Sequence, residues 1–147
     1  EWAGVYRHYH AAFMRTLIIG KPTKHHEAMD TACQAALAAV EEKLRPGNTA
    51  GEVFSAHARV MDEHGMRDHR LNACGYSLGA KFTPSWMDSP MFYTGNEAEL
   101  GAGMVFFAHM ILMDSKSANA YCLGRTYIIT KGKPEPVSTY PLDMIER

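Results

Sequence analysis

Two stretches of the chain place apolar residues three and four positions apart, which is the spacing of a helix with one buried face. The first runs from Thr23 to Leu44 and the second from Thr49 to His64. Each begins at a threonine whose hydroxyl can cap free backbone amides, and Thr49 forms a capping box with Glu52. A proline and a glycine follow the first stretch, and Gly65 ends the second. The pattern therefore predicts two consecutive helices.

Strands are predicted before and after these helices. Val5 to Ile19 mixes aromatic, β-branched and polar residues in rough alternation and runs into a glycine, which predicts extended structure entering a turn. Arg70 to Leu78 is short and strand-like. Met104 to Met113 and Tyr121 to Thr130 are rich in β-branched, aromatic and methionine residues around a polar segment, which predicts a β-hairpin. The order of a strand pair, two helices, a strand, a loop and a second strand pair predicts an α+β fold.

Residues 81–103 have no apolar period. Glycines and prolines interrupt this segment, and Trp86 and Asp88 lie within it. Loops of this length usually either carry function or are disordered. We therefore expect the segment to line a pocket. Trp86 and Asp88 would either cover that pocket or serve as a loop anchor and a turn residue.

Composition and charge exclude several classes of function. The 147 residues suffice for one domain or a large part of one. A formal net charge of -1 provides no basic surface for nucleic acid or for an anionic membrane. No apolar run is long enough to span a bilayer. The three cysteines lack metal-ligand spacing and, with ten methionines, favour a reducing compartment, so we expect a cytoplasmic protein.

Short motifs that follow one another through almost the whole chain carry a family resemblance. They are YHAAFMRT at 9–16, GKP at 20–22, LRPGNTAGEV at 44–53, GYSLG at 75–79, LGAGMVF at 100–106 and YIIT at 127–130. With them the chain resembles the pita-bread superfamily, which includes methionine aminopeptidases, Xaa-Pro dipeptidases and creatinase. The resemblance implies an α+β pita-bread fold with a curved antiparallel sheet. It also implies that residues 1–147 are the C-terminal portion of a catalytic domain whose upstream half lies outside this chain.

The resemblance further assigns positions to the metal ligands of the family, which are two aspartates, one histidine and two glutamates. Those positions hold Glu1, Ala12, Tyr76, His109 and Gly124. Alanine and glycine have no side-chain donor, and a neutral tyrosine is a poor one. Glu1 and His109 cannot hold a bridged pair of ions between them. We therefore expect no bound metal and no cofactor.

The GYSLG segment, the segment after Glu1 and the Pro84-x-Trp86 motif are also similar to ectoine hydrolase, a member of the superfamily. The likeness is partial, because that enzyme has an acidic cluster where this chain has residues 123–125 and has no histidine at the position of His109. Creatinase implies that the fold can work without metal, with a histidine as acid and base. The resemblance therefore implies a creatinase-like, metal-independent hydrolase that acts on a C–N bond of a small amide or amidine. A non-catalytic small-ligand-binding module is the alternative, and a metal-dependent Xaa-Pro dipeptidase or aminopeptidase is the third possibility.

Three residues are predicted to carry catalysis. His109 would transfer protons, Tyr76 would polarise the substrate and Glu1 would orient it. The competing interpretation is that Tyr76 and His109 are core residues in separate apolar layers that only fill space. Side-chain polar atoms of Tyr76 and His109 within about 6 Å of each other, the reach of one bridging water, would support a shared site.

Three further residues are predicted to bind the substrate. These are His10, Trp86 at the mouth of the pocket, and Arg125, whose forked guanidinium suits a planar anion. Arg125 could equally pair with Glu1 or Asp114. We expect the substrate-binding and catalytic residues to face one pocket.

A small molecule is the expected ligand of this pocket. Members of the superfamily commonly dimerise, and a part of a domain would expose core surface. We therefore expect a homodimer, or association with the upstream half of the domain.

Overall fold

The structure, a computed structural model, describes every residue from 1 to 147. Two helices and nine strands follow one another in the order β1 (Trp2–Tyr6), β2 (Tyr9–Met14), β3 (Leu17–Ile18), α1 (Lys24–Lys43), α2 (Ala50–Glu63), β4 (Ala73–Ser77), β5 (Asp88–Tyr93), β6 (Val105–Asp114), β7 (Asn119–Ile128), β8 (Glu135–Pro136) and β9 (Ile145–Glu146). Both predicted helices and the predicted hairpin of β6 and β7 are confirmed. Neither helix combines the length and apolarity needed to cross a membrane.

Seven strands form one antiparallel sheet. Its order is β1, β2, β7, β6, β4 and β5, and β8 adds to β7. The longest pairing joins the ten residues of β6 to β7, from Val105 opposite Ile128 to Asp114 opposite Asn119. β3 and β9 pair separately, in parallel. The predicted α+β fold is therefore confirmed.

Side chains that cap free backbone groups explain the helix boundaries. The Thr49 hydroxyl accepts a hydrogen bond from the Glu52 amide at 3.2 Å, and the Glu52 carboxylate accepts one from the Thr49 amide at 2.7 Å. Thr23 and His26 form the same reciprocal pair at the start of α1. Gly65 follows α2 with a left-handed backbone at φ +73. These contacts are local, so the sequence predicts them well.

The sheet has one face covered by helices and one face without them. Successive residues of a strand point to opposite faces, so each strand contributes to both. The helix-covered face belongs to a core of 24 buried residues, which includes Phe106, Met110 and Leu123. The helix-free face carries a smaller cluster made of Ala12, Met14, Tyr76, Leu78 and Phe107. The candidate site therefore lies on the helix-free face.

Residues 81–103 are not a continuous loop, which corrects the prediction for this segment. β5 lies inside it and pairs antiparallel with β4. The sequence hid this strand because Pro90 interrupts it and because the register against β4 shifts twice, which breaks the alternation of period two. Asp88 begins the strand opposite Ser77, while Trp86 lies in the connection before it.

The extended segment predicted from Val5 to Ile19 consists of more than one strand. β1 and β2 form a hairpin whose turn residues are Arg7 and His8, with φ of 49° and 65°. This left-handed conformation is uncommon outside glycine, although histidine adopts it more often than most residues do. β1 also begins earlier than predicted, at Trp2.

His57 is a polar residue inside the helix-side core. His57 is 1% exposed, and neither of its ring nitrogens has a hydrogen-bond partner. Burial lowers the pKa of His57 from 6.5 to about 4, and the nearby positive charge of Arg70 acts in the same direction. The imidazole is therefore neutral at neutral pH, and its unpaired nitrogens reduce stability.

We expect the free energy of unfolding to fall by about 3 kcal/mol as pH drops from 6.5 to about 4, because unfolded His57 takes up a proton that the folded residue does not. His109, whose pKa is also lowered to about 4, adds a contribution of the same sign. In the variant His57→Leu the fall should be smaller. Urea unfolding at neutral and acidic pH measures this, with the exposed His64→Gln as control. An identical pH dependence in His57→Leu would contradict the expectation.

Candidate functional site

Neighbouring strands β4 and β6 bring two predicted site residues together on the helix-free face. Tyr76 pairs with Phe107, and His109 lies two residues further along β6, on the same face. The ring centroids of Tyr76 and His109 are 5.6 Å apart, and the Phe107 ring is 5.5 Å from Tyr76 and 5.8 Å from His109. Tyr76 and His109 therefore share one cluster and do not lie in separate layers.

Two hydrogen bonds link three predicted site residues into a chain. The Trp86 indole Nε1 donates to the Tyr76 hydroxyl at 3.0 Å, and this hydroxyl donates to Glu1 Oε1 at 3.2 Å. Burial raises the pKa of Tyr76 to about 12, the Trp86 hydrogen bond opposes this change, and the negative charge of Glu1 adds to it. Tyr76 is therefore a neutral hydroxyl at neutral pH, with its proton directed at the Glu1 carboxylate.

His109 is the second buried titratable side chain of the cluster, beside Tyr76. It is 7% exposed, and its Nδ1 is buried without a hydrogen-bond partner. Burial lowers the pKa of the imidazole to about 4. The ring is therefore neutral at neutral pH and can accept a proton from a group bound beside it.

The cluster borders a cleft next to the segment of residues 82–87. One cavity of about 310 Å³ is lined by Glu1, Tyr76 and His109 and by the apolar residues Met14, Leu71, Ala73, Met87, Met91 and Ile111. A neighbouring cavity of about 250 Å³ is also lined by Glu1, Tyr76 and Met87, and adds Pro84, Ser85 and Trp86. Trp86 thus forms part of the wall of the cleft.

His10 adjoins the cleft from a third cavity. Its Nδ1 lies 2.9 Å from the carbonyl oxygen of Gly79. A carbonyl only accepts, so Nδ1 carries the proton and Nε2 is free of one when the ring is neutral. The His10 ring lies 4.4 Å from Phe82 and 6.4 Å from Trp86, measured between centroids. This cavity of about 250 Å³ is lined by the same residues 84–86 as the cleft, so His10 lies beside the cavity of Tyr76 and His109 and not inside it.

Arg125 does not face the cleft, which corrects the expectation of a common pocket for all the predicted residues. Gly124 pairs with His109 on the helix-free face, so the next residue points to the other face, as Leu123 does. The Arg125 Nη2 donates to the carbonyl oxygen of Tyr140 at 2.9 Å. Arg125 forms no ion pair with either of the acidic residues predicted as partners.

Three glycines near the site are required by close packing. A Cβ on Gly124 would lie 2.7 Å from the Phe107 ring, and a Cβ on Gly75 would lie 2.6 Å from the Phe107 carbonyl oxygen. A Cβ on Gly79 would overlap the Tyr9 ring. None of these glycines has a left-handed backbone, so contact with neighbouring residues, and not a tight turn, accounts for both glycines of the GYSLG segment.

The positions that the resemblance assigns to metal ligands do not form a donor set. Ala12 and Gly124 carry no donor, and the Phe107 ring fills the space that a side chain at position 124 would need. No three His, Cys, Asp or Glu side chains are arranged so that they could hold a metal ion. The residues present therefore do not fit the dinuclear metal centre that the resemblance implies.

The predicted site does not include the apolar residues that line the cavity. Met14, Met87 and Met91 come from β2, the connection before β5 and β5 itself. No local pattern relates these three positions. Ile111 could have been found, because it lies two residues after His109 on a predicted strand and so faces the same way.

Comparison with known proteins identifies the relatives of the chain. Residues 1–131 match the family model of metallopeptidase family M24. The chain is 32% identical over 107 residues to ectoine hydrolase of Halomonas elongata, which covers 72% of this chain and 27% of that protein. It is 30% identical over 106 residues to Xaa-Pro dipeptidase of Pyrococcus furiosus, covering 71% of this chain and 29% of that protein.

Solved structures show the same fold. Dipeptidase PepE from Mycobacterium ulcerans superimposes with a TM-score of 0.89 at 24% identity, over 98% of this chain and 38% of that one. The X-Pro aminopeptidase from Thermotoga maritima superimposes with a TM-score of 0.90 at 16% identity, over 99% of this chain and 40% of that one. These likenesses confirm the predicted pita-bread fold. The chain spans less than half the length of each of these relatives.

The contact between Phe107 and Gly124 can be tested by substitution. Gly124→Ala should lower the free energy of unfolding by about 1–3 kcal/mol, because the added methyl overlaps the Phe107 ring. Gly4→Ala, where nothing lies within 4 Å of an added Cβ, is the matched control and should change it by less than about 0.5 kcal/mol. Urea unfolding measures both variants. Equal stabilities would show that Phe107 does not constrain position 124.

Proposed function

This chain belongs to metallopeptidase family M24, and we propose that it forms the site of a metal-independent hydrolase that cleaves a C–N bond of a small amide or amidine. One observation carries the proposal. The neutral His109 imidazole and the hydrogen-bonded pair of Tyr76 and Glu1 line a single cavity, at positions that the resemblance assigns to metal ligands. A proton acceptor, a hydroxyl and a carboxylate in one cavity are the components of general acid–base catalysis.

The names of the relatives support hydrolysis as the reaction class. One is an ectoine hydrolase and another is an Xaa-Pro dipeptidase. The chain spans 27% and 29% of these two proteins, so the activity of the whole protein is proposed and is not transferred from them. The division of the domain, with an upstream half that completes the site, is part of the same proposal.

In the proposed reaction neutral His109 acts as a general base. It takes one proton from a water molecule, and the water oxygen forms a bond to the carbon of the amide or amidine. The C–N bond then breaks, and the proton held by His109 passes to the departing nitrogen. The oxygen and the other hydrogen of the water remain on the carbon side. The reaction consumes only the substrate and one water molecule.

Glu1 and Tyr76 would bind and polarise the substrate. The Glu1 carboxylate can accept hydrogen bonds from N–H groups of the substrate, and its negative charge would stabilise the imidazolium that forms on His109. The Tyr76 hydroxyl donates a hydrogen bond to Glu1 at 3.2 Å. It would polarise the substrate by donating this hydrogen bond to a substrate atom instead. Trp86 and His10 would bind the substrate from the wall of the cleft and from the adjoining cavity.

A non-catalytic small-ligand-binding module is the second candidate. The observation that favours it is the pKa of about 4 for His109, because such an imidazole is a weak base at neutral pH. A metal-dependent dipeptidase ranks third, because no three His, Cys, Asp or Glu side chains are arranged to hold a metal ion. Turnover assays on a panel of small amides and amidines separate the first two candidates.

Association with a second copy, or with the rest of the domain, is also proposed. β1 is exposed along its whole length at one end of the sheet. Trp2 and Tyr6 on this strand are 61% and 74% exposed. An exposed edge strand with large apolar side chains is a typical interaction surface. The cytoplasmic location stays a prediction.

Purified protein should contain no stoichiometric transition metal, because Ala12 and Gly124 offer no ligand at two of the family's five positions. Elemental analysis measures the metal content. Dialysis against a chelator should leave turnover and the melting temperature unchanged. About two metal ions per chain would overturn the proposal and revive the dipeptidase interpretation.

The role of His109 predicts a characteristic pH profile. The acid limb of kcat/KM should lie near pH 4, because burial lowers the pKa of His109 to about 4. His109→Gln should reduce kcat by about 100-fold or more, as expected for loss of a general base. Steady-state kinetics on the amide and amidine panel measures both quantities, with the exposed His64→Gln as control. Full activity of His109→Gln would exclude the mechanism.

A further inference from the structure

The cleft presents one carboxylate side chain to a bound molecule. Glu1 is the one acidic residue that lines the two cavities bordered by Tyr76. No lysine or arginine lines either cavity. The side chains that line the cleft therefore favour a positively charged group over a negatively charged one.

Apart from Glu1, Tyr76 and His109, the residues that line the larger cavity are apolar. Met14, Met91 and Ile111 line it together with Leu71 and Ala73. Methionine side chains are flexible and polarisable and adapt to apolar groups of different shape. An anionic group that entered this cavity would lose its hydration without gaining an ion pair, and Glu1 would repel it.

Arg15, which follows β2, and Arg125 on β7 do not compensate for the Glu1 carboxylate. Arg15 is 7% exposed, and its guanidinium donates to the carbonyl oxygens of Met14 and Gly124 at 2.6 and 2.8 Å. Arg125 points to the helix-covered face and donates to Tyr140. Both guanidinium groups therefore bind backbone carbonyls and are unavailable to an anionic ligand in the cleft.

We propose that this cleft selects molecules that combine an amidinium-like cation with an apolar body, and that it rejects molecules bearing a carboxylate. The selection rests on the proposed function and names the substrate class of that site. A planar amidinium offers two parallel N–H donors that match the Glu1 carboxylate. The aromatic rings of Trp86 and Tyr76 favour a cation near them, and the methionine-lined wall holds the apolar body.

Equilibrium binding of three matched probes tests this selection without any need for turnover. Benzamidine supplies the cation and the apolar body, benzamide replaces the cation by a neutral amide, and 4-carboxybenzamidine adds a carboxylate. Benzamidine should bind at least about tenfold more tightly than either of the other probes. Trp2→Phe protein leaves Trp86 as the one tryptophan, so that its fluorescence reports binding in the cleft. Calorimetry on the unmodified chain provides a second measurement.

Two substitutions connect the selection to named residues. Glu1→Gln should bring the affinities for benzamidine and benzamide within about twofold of each other, because the charge that favours the cation is removed. Met91→Arg introduces a cation into the cavity wall and should reverse the rejection of 4-carboxybenzamidine. Met91→Leu is the matched control and should retain the rejection. Circular dichroism and melting curves establish that each variant is folded.

The results separate this inference from the proposed reaction. Selective benzamidine binding without turnover of any amide or amidine would support the inference and remove the hydrolase. Turnover restricted to carboxylate-bearing substrates would support the hydrolase and overturn the inference. Equal affinity for benzamidine and 4-carboxybenzamidine, or no binding of benzamidine at millimolar concentration, would also overturn it.

Discussion

The pairing of β6 with β7 in a single register is the constraint on which the rest of the structure depends. A slip of one residue would exchange the faces of every side chain in the pair. The observed register directs Phe106 and Met110 into the helix-side core and leaves Phe107 and His109 on the helix-free face. It also places Gly124 directly opposite His109. One ladder of backbone hydrogen bonds therefore specifies both the core and the site.

Packing couples the residues at the positions that the resemblance assigns to metal ligands. The Phe107 ring takes the volume that a side chain at position 124 would occupy, and the same ring contacts the cluster of Tyr76 and His109. A glutamate at position 124 would therefore require Phe107 to move or to be replaced. The aromatic cluster and the lack of a side chain at Gly124 are therefore one structural feature.

Burial acts on the two central titratable groups in opposite directions and leaves both uncharged. It lowers the pKa of His109 to about 4 and raises the pKa of Tyr76 to about 12, because a low-dielectric environment disfavours the charged form of each. Glu1, which lies at an exposed position, accepts a hydrogen bond from the Tyr76 hydroxyl and supplies the only carboxylate that lines the cleft. The proton transfer and the cation selection that we propose would thus have the same physical origin.

The sequence alone determined the helices and the α+β order, and it predicted three residues that line one cavity. Helical spacing and capping pairs act over a few residues, and the resemblance identified the positions of Glu1, Tyr76 and His109. Only the tertiary structure decided that Arg125 points away from the cleft, that β5 exists, and that methionines line the cavity. These features depend on which distant strands pair and in which register. Strands pair through backbone hydrogen bonds, which form with many different side chains. The local sequence therefore does not reveal which strands pair.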